Sequence, residues 1–137
     1  MIKRCLIVDT ETTGLEPEKH SCIEVGAILY SVQNQISLTQ FSCIVPILES
    51  EDDIPFTEPV SPQLNPMVEV NRIPDVALTE MLECYDEDIE CQLSWMAERA
   101  DIIVAHNAEF DKAFFRKANL LLSSYGERWL CTSEDFD

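Results

Sequence analysis

The stretch LIVDTETTGL, Leu6 to Leu15, decides how this chain is expected to fold. It begins as an apolar run of the kind that forms a buried strand, and the run ends in Asp9 and Glu11, followed by two threonines and a glycine. Carboxylates beside a protein core are costly unless something there needs them. The two acids at the end of this strand therefore indicate a functional site.

Periodic patterns predict the elements around this stretch. Strands are predicted at Lys3 to Asp9, Cys22 to Leu29 and Ile36 to Val45, the last two joined by a turn at Asn34 and Gln35. After an acidic, proline-rich surface loop from Pro46 to Pro66, the pattern predicts a helix at Asp86 to Ala100, a strand at Asp101 to Ala105, a helix from Asn107 to about Leu122, and a strand at Arg128 to Thr132. An antiparallel three-strand meander followed by these elements predicts an α/β fold, with a mixed sheet flanked by helices.

The composition is that of a single soluble domain. The chain has 137 residues, 46% of them hydrophobic, which is enough for one domain with a core of its own. Its apolar runs are shorter than the roughly 18 residues of a membrane span, and the start MIKRCLIVDT does not resemble a signal peptide. We therefore expect a cytoplasmic protein that has no membrane partner.

The net charge and the cysteines exclude two classes of site. A net charge of -17 argues against broad electrostatic attraction to nucleic acid, so any such chemistry is expected to be local and metal-assisted. The six cysteines show no CxxC pair and no Cys/His spacing typical of zinc ligands. We expect them to be reduced and mostly buried.

Strand geometry predicts that Asp9 and Glu11 lie side by side. Alternate residues of a strand share a face, so Cys5, Ile7, Asp9 and Glu11 are expected to point the same way, provided that the strand continues through Glu11. Two carboxylates about 6 to 7 Å apart raise each other's pKa, unless a divalent cation lies between them. Ligands that offer only oxygen suit Mg²⁺ or Mn²⁺.

A simpler interpretation of this stretch stays open. Asp9 can begin an ordinary turn in which Thr12, Thr13 and Gly14 are routine turn residues. An acid pair of this kind is common by chance. A second signal in the other half of the chain is needed to choose between the two interpretations.

That second signal is IVAHNAEFDKAFFRKA, Ile103 to Ala118. If Asn107 caps the helix, the helical period places one set of residues on a single face: Ala108, Asp111, Phe115, Ala118 and Leu122, with Phe110, Phe114 and Leu121 beside it. Asp111 is then predicted to point inward, where it needs a hydrogen-bond partner or a metal ion.

The two stretches together predict three inward carboxylates, Asp9, Glu11 and Asp111, from a strand end and the first turn of a helix. Such a set suits a two-metal phosphodiester hydrolase, in which metal ions activate water and stabilise charge on the attacked phosphate. The cations would also neutralise the phosphate at the cleaved bond in a chain that is so acidic.

These residues resemble motifs I and II of the DnaQ-like, or DEDD, 3′ to 5′ exonuclease family of the proofreading-subunit type. DTETTGL, Asp9 to Leu15, resembles the first motif, and HNAEFD, His106 to Asp111, resembles the second. CIEVGA, Cys22 to Ala27, is similar to the strand between them, and VNRI, Val70 to Ile73, is a weaker match to a substrate-side segment.

The resemblance implies an RNase H-like fold and a metal-dependent exonuclease. Asp9, Glu11 and Asp111 would be the catalytic residues and the ligands of two Mg²⁺ or Mn²⁺ ions. The implied substrates are the 3′ ends of single-stranded DNA or RNA, from which nucleoside 5′-monophosphates are released. If the chain has a proofreading role, like the proofreading subunit of DNA polymerase III, its partner would be a DNA polymerase or another protein.

The resemblance also implies contacts to the terminal nucleotide. The chain near motif I and two residues of motif II would form them: Thr10, Thr12, Thr13, Gly14 and Leu15, Phe110 beside the base or sugar, and Asn107 at the helix start. Each has a structural alternative, because threonines satisfy turns, asparagine caps helices and phenylalanine fills cores.

The third motif of the family lies outside this sequence. It carries a general base, His or in one branch Tyr, and a fourth Asp ligand well downstream of motif II. His20 and His106 do not occupy that position, and Asp135 and Asp137 come too early. We expect residues 1–137 to be a C-terminally incomplete domain of the His branch that is nearly inactive alone.

Two other functions remain open. The fold can serve as a catalytically inactive module that binds nucleic-acid ends or a protein partner, as the acidic segments and the missing third motif suggest. Alternatively, the chain is a plain acidic domain whose carboxylates are structural.

Overall fold

Five strands form one sheet in the part of the chain that is described, residues 1–47, 64–85, 88–118, 120 and 128–135 of a computed structural model. The strands are β1 (Arg4–Thr12), β2 (Cys22–Ser31), β3 (Ile36–Ile44), β4 (Ile102–Ala105) and β5 (Trp129–Cys131). The helices are α1 (Val68–Asn71), α2 (Asp75–Cys84), α3 (Asp88–Arg99) and α4 (Ala108–Lys117).

The sheet is mixed, with the strand order β3-β2-β1-β4-β5. β1 pairs antiparallel with β2, and β2 pairs antiparallel with β3, which makes the predicted meander. β4 runs parallel to β1, and β5 runs parallel to β4. The predicted fold class is confirmed, and β1 lies at the centre of the sheet.

β1 is longer than predicted and continues through both acids. Leu6, Val8 and Thr10 are buried, whereas Ile7 and Asp9 are exposed, so the side chains alternate between two faces. A register shift in the pairing with β2 falls between Glu11 and Thr12. Asp9 and Glu11 therefore lie in extended chain, as their predicted side-by-side arrangement requires.

The main hydrophobic core combines the sheet with α3 and α4. Leu6 and Val8 of β1 belong to the same buried cluster as Leu93 of α3 and Phe115 of α4. The helical spacing predicted for α3 is confirmed, because its apolar residues Ile89, Leu93, Met96 and Ala97 are all buried. This core holds the start of α4 against β1.

The segment between β3 and α3 differs most from the prediction. Residues 48–63 of the predicted surface loop lie outside the described residues, but Pro46 and Asn65 at its two ends are buried. α1 and α2 were not predicted, and Leu78 is the one buried residue of α2. Leu78 packs with Ile23 and Ile73 in a second, smaller core.

The other helices and strands agree with the prediction to within a few residues. α4 ends at Lys117, earlier than predicted, because the amide of Leu120 bonds to the carbonyl of Phe115 instead of continuing the helical pattern. Residues 86–87 and 121–127, where two predicted helix boundaries fall, lie outside the described residues. In the described ranges no helix has the length and apolar character needed to span a membrane.

All six cysteines lie in described parts of the chain, and none of them forms a disulfide. Cys5, Cys22 and Cys131 are buried, Cys43 is half-buried, and Cys84 and Cys91 are exposed. The prediction of mostly buried cysteines is therefore wrong for the last two, which face solvent on α2 and α3. Burial raises the pKa of Cys22 to about 12, so this thiol packs as an apolar group.

Candidate functional site

Asp9 and Glu11 lie on the more exposed face of β1. The antiparallel register places Glu24 of β2 directly opposite Glu11, which adds a third carboxylate to this face. Burial raises the pKa of Glu11, and the negative charges of Asp9 and Glu24 raise it further. Excess negative charge at this end of the sheet therefore favours a bound cation or a proton.

Asp111, in the first turn of α4, is buried as predicted, with only 4% of its surface exposed. The hydroxyl of Thr10 donates a hydrogen bond of 2.6 Å to its Oδ1 atom. Burial raises the pKa of Asp111 to about 6; the Thr10 hydroxyl opposes this shift, and the charge of Asp9 adds to it. Asp111 therefore lies close enough to Asp9 of motif I for the two charges to interact.

The three acids reach this region from two sides of β1. Thr10 stands between Asp9 and Glu11, so its side chain points to the opposite face from theirs. Asp111 bonds to Thr10 and thus lies on the face that α4 covers. The prediction that all three carboxylates point inward is wrong for Asp9, because the face that it shares with Ile7 is exposed.

The donor set suits a hard divalent cation in its chemistry. All three acids offer oxygen, and burial, together with the negative charge of Asp9, raises the pKa of Glu11 and of Asp111. Among the described residues, however, no group of three or more His, Cys, Asp or Glu side chains is arranged to hold a metal ion. Asp9, Glu11 and Asp111 are therefore candidate ligands, and the metal ion remains a prediction.

The turn after β1 is held by its own threonines. The Thr12 hydroxyl donates to the carbonyl of Gly14 at 2.6 Å, and the amide of Ser21 donates to the Thr13 hydroxyl at 2.9 Å. A Cβ atom on Gly14 would overlap the ring of His20, so the turn needs glycine there. Thr12, Thr13 and Gly14 therefore do act as turn residues, as the simpler interpretation predicted. Leu15 is exposed and accessible to other contacts.

The two motif II residues predicted to contact substrate differ in their surroundings. Asn107 occupies the N-cap position of α4, but its side chain makes no cap hydrogen bond. The amide of Ala108 instead donates to the sulfur of Cys131. Phe110 is half-buried, and its ring centroid lies 4.8 Å from that of Phe114. Substrate contact by Asn107 and Phe110 stays a prediction.

The two histidines and the acidic tail are engaged elsewhere. His20 Nδ1 lies 3.0 Å from the amide nitrogen and 3.1 Å from the carbonyl oxygen of Glu16. His106 Nδ1 lies 3.0 Å from the hydroxyl of Thr132. Asp135 Oδ2 accepts a 2.7 Å hydrogen bond from the amide of Cys131, and Asp137 lies outside the described residues. These contacts are structural and suggest no general base.

Two residues next to the site were missed from the sequence. Glu24 belongs to CIEVGA. The register of the β1–β2 hairpin, which places Glu24 opposite Glu11, is the signal that could have identified it. Asn71 belongs to VNRI, and it donates a hydrogen bond to the carbonyl of Thr12. The weak resemblance of VNRI was the one signal for Asn71 in the sequence, because Asn71 and Thr12 are 59 positions apart.

The order and the directions of the strands define the fold. It is the RNase H-like fold that 3′-exonucleases share. Sequence comparison adds nothing more specific, because no known family profile and no curated protein matches the chain.

Three solved structures carry this likeness. They are a full-length 3′-exonuclease (TM-score 0.55, 14% identity), the nuclease domain of 3′hExo, a DEDDh family member, bound to rAMP (0.54, 15%), and cell-death related nuclease 4, CRN-4 (0.51, 14%). They match 85%, 88% and 85% of this chain, which spans 38%, 60% and 40% of theirs. The RNase H-like fold implied by the resemblance is thus confirmed.

Proposed function

We propose that this chain is the motif I and II part of a 3′ to 5′ exonuclease that hydrolyses single-stranded DNA or RNA from the 3′ end and releases nucleoside 5′-monophosphates. The observation that carries the proposal is the hydrogen bond from Thr10 to Asp111. It joins the acid of α4 to motif I in a fold shared with 3′-exonucleases.

Asp9, Glu11 and Asp111 would hold two Mg²⁺ or Mn²⁺ ions. Bound there, the ions would activate water and stabilise charge on the phosphate. The hydrogen bond from the Thr10 hydroxyl to Oδ1 of Asp111 fixes the orientation of that carboxylate. The turn from Thr12 to Gly14 follows directly on Glu11, and its main chain would contact the terminal nucleotide.

The general base and the fourth metal ligand are proposed to lie beyond Asp137, in a motif of the His branch. A base must have a pKa near the working pH and reach the attacking water. Neither His20 nor His106 is placed for that role, as their main-chain and Thr132 contacts indicate. A polymerase or another protein partner would supply the basic surface that a chain of net charge -17 lacks.

A second candidate function is a catalytically inactive module that binds nucleic-acid ends or a protein. The observation that favours it is the division of the acids between two sides of β1, without a finished metal cluster among the described residues. A module of this kind needs the fold but not the metal ions. Binding without hydrolysis separates it from the exonuclease.

An oligonucleotide assay tests the proposal. The protein, and the longer product if the gene continues past Asp137, is incubated with single-stranded DNA and RNA labelled at the 3′ end, with Mg²⁺, with Mn²⁺ or with EDTA. We expect metal-dependent release of labelled mononucleotide, strongest in the longer product because a general base contributes about 10²- to 10⁴-fold.

The matched controls are a 5′-labelled copy of each strand and the Asp9→Asn variant. The 5′ label must stay on shortening oligonucleotides, and the variant must be inactive. Absence of hydrolysis by every form, with retained binding of the oligonucleotide, would establish the inactive module in place of the exonuclease.

A further inference from the structure

Asn71, the last residue of α1, contacts the main chain of motif I. Its Nδ2 atom donates a 3.1 Å hydrogen bond to the carbonyl oxygen of Thr12. This carbonyl follows the register shift between Glu11 and Thr12 in the β1–β2 pairing. Bulges of this kind interrupt the regular ladder and redirect nearby side chains, so the carbonyl takes a donor from outside the sheet.

The other contacts of Asn71 fix the orientation of its amide group. Its Oδ1 atom accepts from the side chain of Asn65 at 2.8 Å and from the amide of Ile73 at 3.2 Å. Both partners are donors, so the oxygen of the amide must face them and the nitrogen must face Thr12. Asn71 therefore presents a donor, and only a donor, to motif I.

Asn65 is itself held on every side. It is fully buried, its Nδ2 also donates to the carbonyl of Ile73 at 2.7 Å, and its Oδ1 accepts from the amide of Met67 at 3.1 Å. The carboxylate of Asp75 accepts from the amides of Leu64 and Asn65, at 3.0 and 2.9 Å. A buried network with satisfied partners is rigid.

This network is anchored to the sheet. Ile73 packs with Leu78 of α2 and with Ile23 of β2 in the smaller core. On the other side of the turn, the amide of Thr13 donates to the carbonyl of Ser21 at 2.9 Å. Thr12 and Thr13 are thus held between the segment that carries Asn71 and the residue just before β2.

We infer that Asn71 is a positioning residue, whose amide fixes the main chain at Thr12 and thereby the direction of Glu11 and the turn from Thr12 to Gly14. The inference rests on the proposed function for its catalytic consequence. Its structural part, the restraint on the turn, does not depend on activity.

The test is the Asn71→Asp variant, which keeps Oδ1 but places a carboxylate oxygen against the Thr12 carbonyl. Loss of the hydrogen bond is expected to speed amide hydrogen exchange of residues 13–15 by about tenfold or more. Exonuclease kcat of the longest active form is expected to fall about 10- to 100-fold, with KM changed less than about threefold, because positioning acts on the reacting geometry.

Asn34→Asp is the matched control. It makes the same chemical change in the turn between β2 and β3, where Asn34 bonds locally to Ser31. Asn71→Gln, which retains the amide on a longer side chain, is expected to recover part of kcat. If Asn71→Asp does not fold, amide exchange and kcat are measured in Asn71→Gln instead. Changes in the same direction, but weaker, are then expected.

The outcomes separate the inference from the proposed function. Absence of hydrolysis by every form of the protein, including the longer product, refutes the exonuclease, while the exchange rates still report on positioning. The role of Asn71 would be overturned if amide exchange at residues 13–15 were the same in Asn71→Asp as in Asn34→Asp. It would also be overturned if kcat fell only together with overall stability, without a selective effect on exchange in the turn.

Discussion

From about pH 4 to about pH 7, the metal-free protein is expected to lose about 3 kcal/mol of unfolding free energy through Asp111, a loss that Asp111→Asn removes. Burial raises the pKa of Asp111 from 3.8 to about 6, because the charged form is poorly solvated between α4 and β1. Each pKa unit corresponds to about 1.4 kcal/mol between the two protonation states.

The sign follows from where the proton is held. Below pH 3.8, Asp111 is protonated in both the folded and the unfolded protein, and burial costs nothing for its charge. As the pH rises through about 6, the unfolded chain has already released the proton while the folded chain releases it at a cost. Stability is therefore lost over this window and stays low above it.

Urea unfolding at a series of pH values measures this loss in the parent and in Asp111→Asn. The asparagine keeps the Oδ1 acceptor for the Thr10 hydroxyl, so the hydrogen bond need not be lost with the charge. Glu109→Gln is the control on the same helix turn, since Glu109 is exposed and paired with Lys112. Parallel pH curves for the parent and Asp111→Asn would contradict a costly buried carboxylate.

Truncation of Phe115 is expected to destabilise the protein by about 3 to 5 kcal/mol, the usual cost of a buried Phe to Ala change. Phe115 is fully buried, four residues after Asp111, and its ring centroid lies 6.1 Å from that of Trp129 in β5. The residue belongs to the core that holds α4 against the sheet. Its loss would therefore loosen the element that carries Asp111.

Chemical denaturation of Phe115→Ala, with Leu82→Ala as the control, measures this effect. Leu82 lies on α2 with 51% of its surface exposed, so its truncation is expected to change stability by less than about 0.5 kcal/mol. A cost below about 1 kcal/mol for Phe115 would show that α4 is not fixed by this core.

Local periodicity was sufficient to predict the strands of the sheet and the inward direction of Asp111. Alternation in β1 and the helical period of α4 are properties of a few consecutive residues, and both are strong here. α2 escaped prediction because Leu78 is its one buried residue, so its sequence lacks a clear apolar stripe.

The remaining differences depend on contacts between distant parts of the chain. The exposure of Asp9 depends on what covers its face of the sheet, which no local pattern encodes. Thr10, predicted only as a nucleotide contact, is the partner of Asp111 because the parallel pairing of β1 with β4 sets α4 beside it. Asn71 reaches Thr12 only through the fold of the segment between β3 and α3.

The central claim, that acids from both halves of the chain share divalent ions, is tested most directly by Mn²⁺ titration with NMR detection. Paramagnetic broadening identifies the residues nearest to the bound ion, and a chain of net charge -17 also binds cations weakly elsewhere. We predict that the amide signals of Glu11 and Asp111 broaden together, at the lowest Mn²⁺ concentrations. Broadening that begins in other acidic segments, or that reaches Glu11 while Asp111 stays sharp, would contradict a shared metal site.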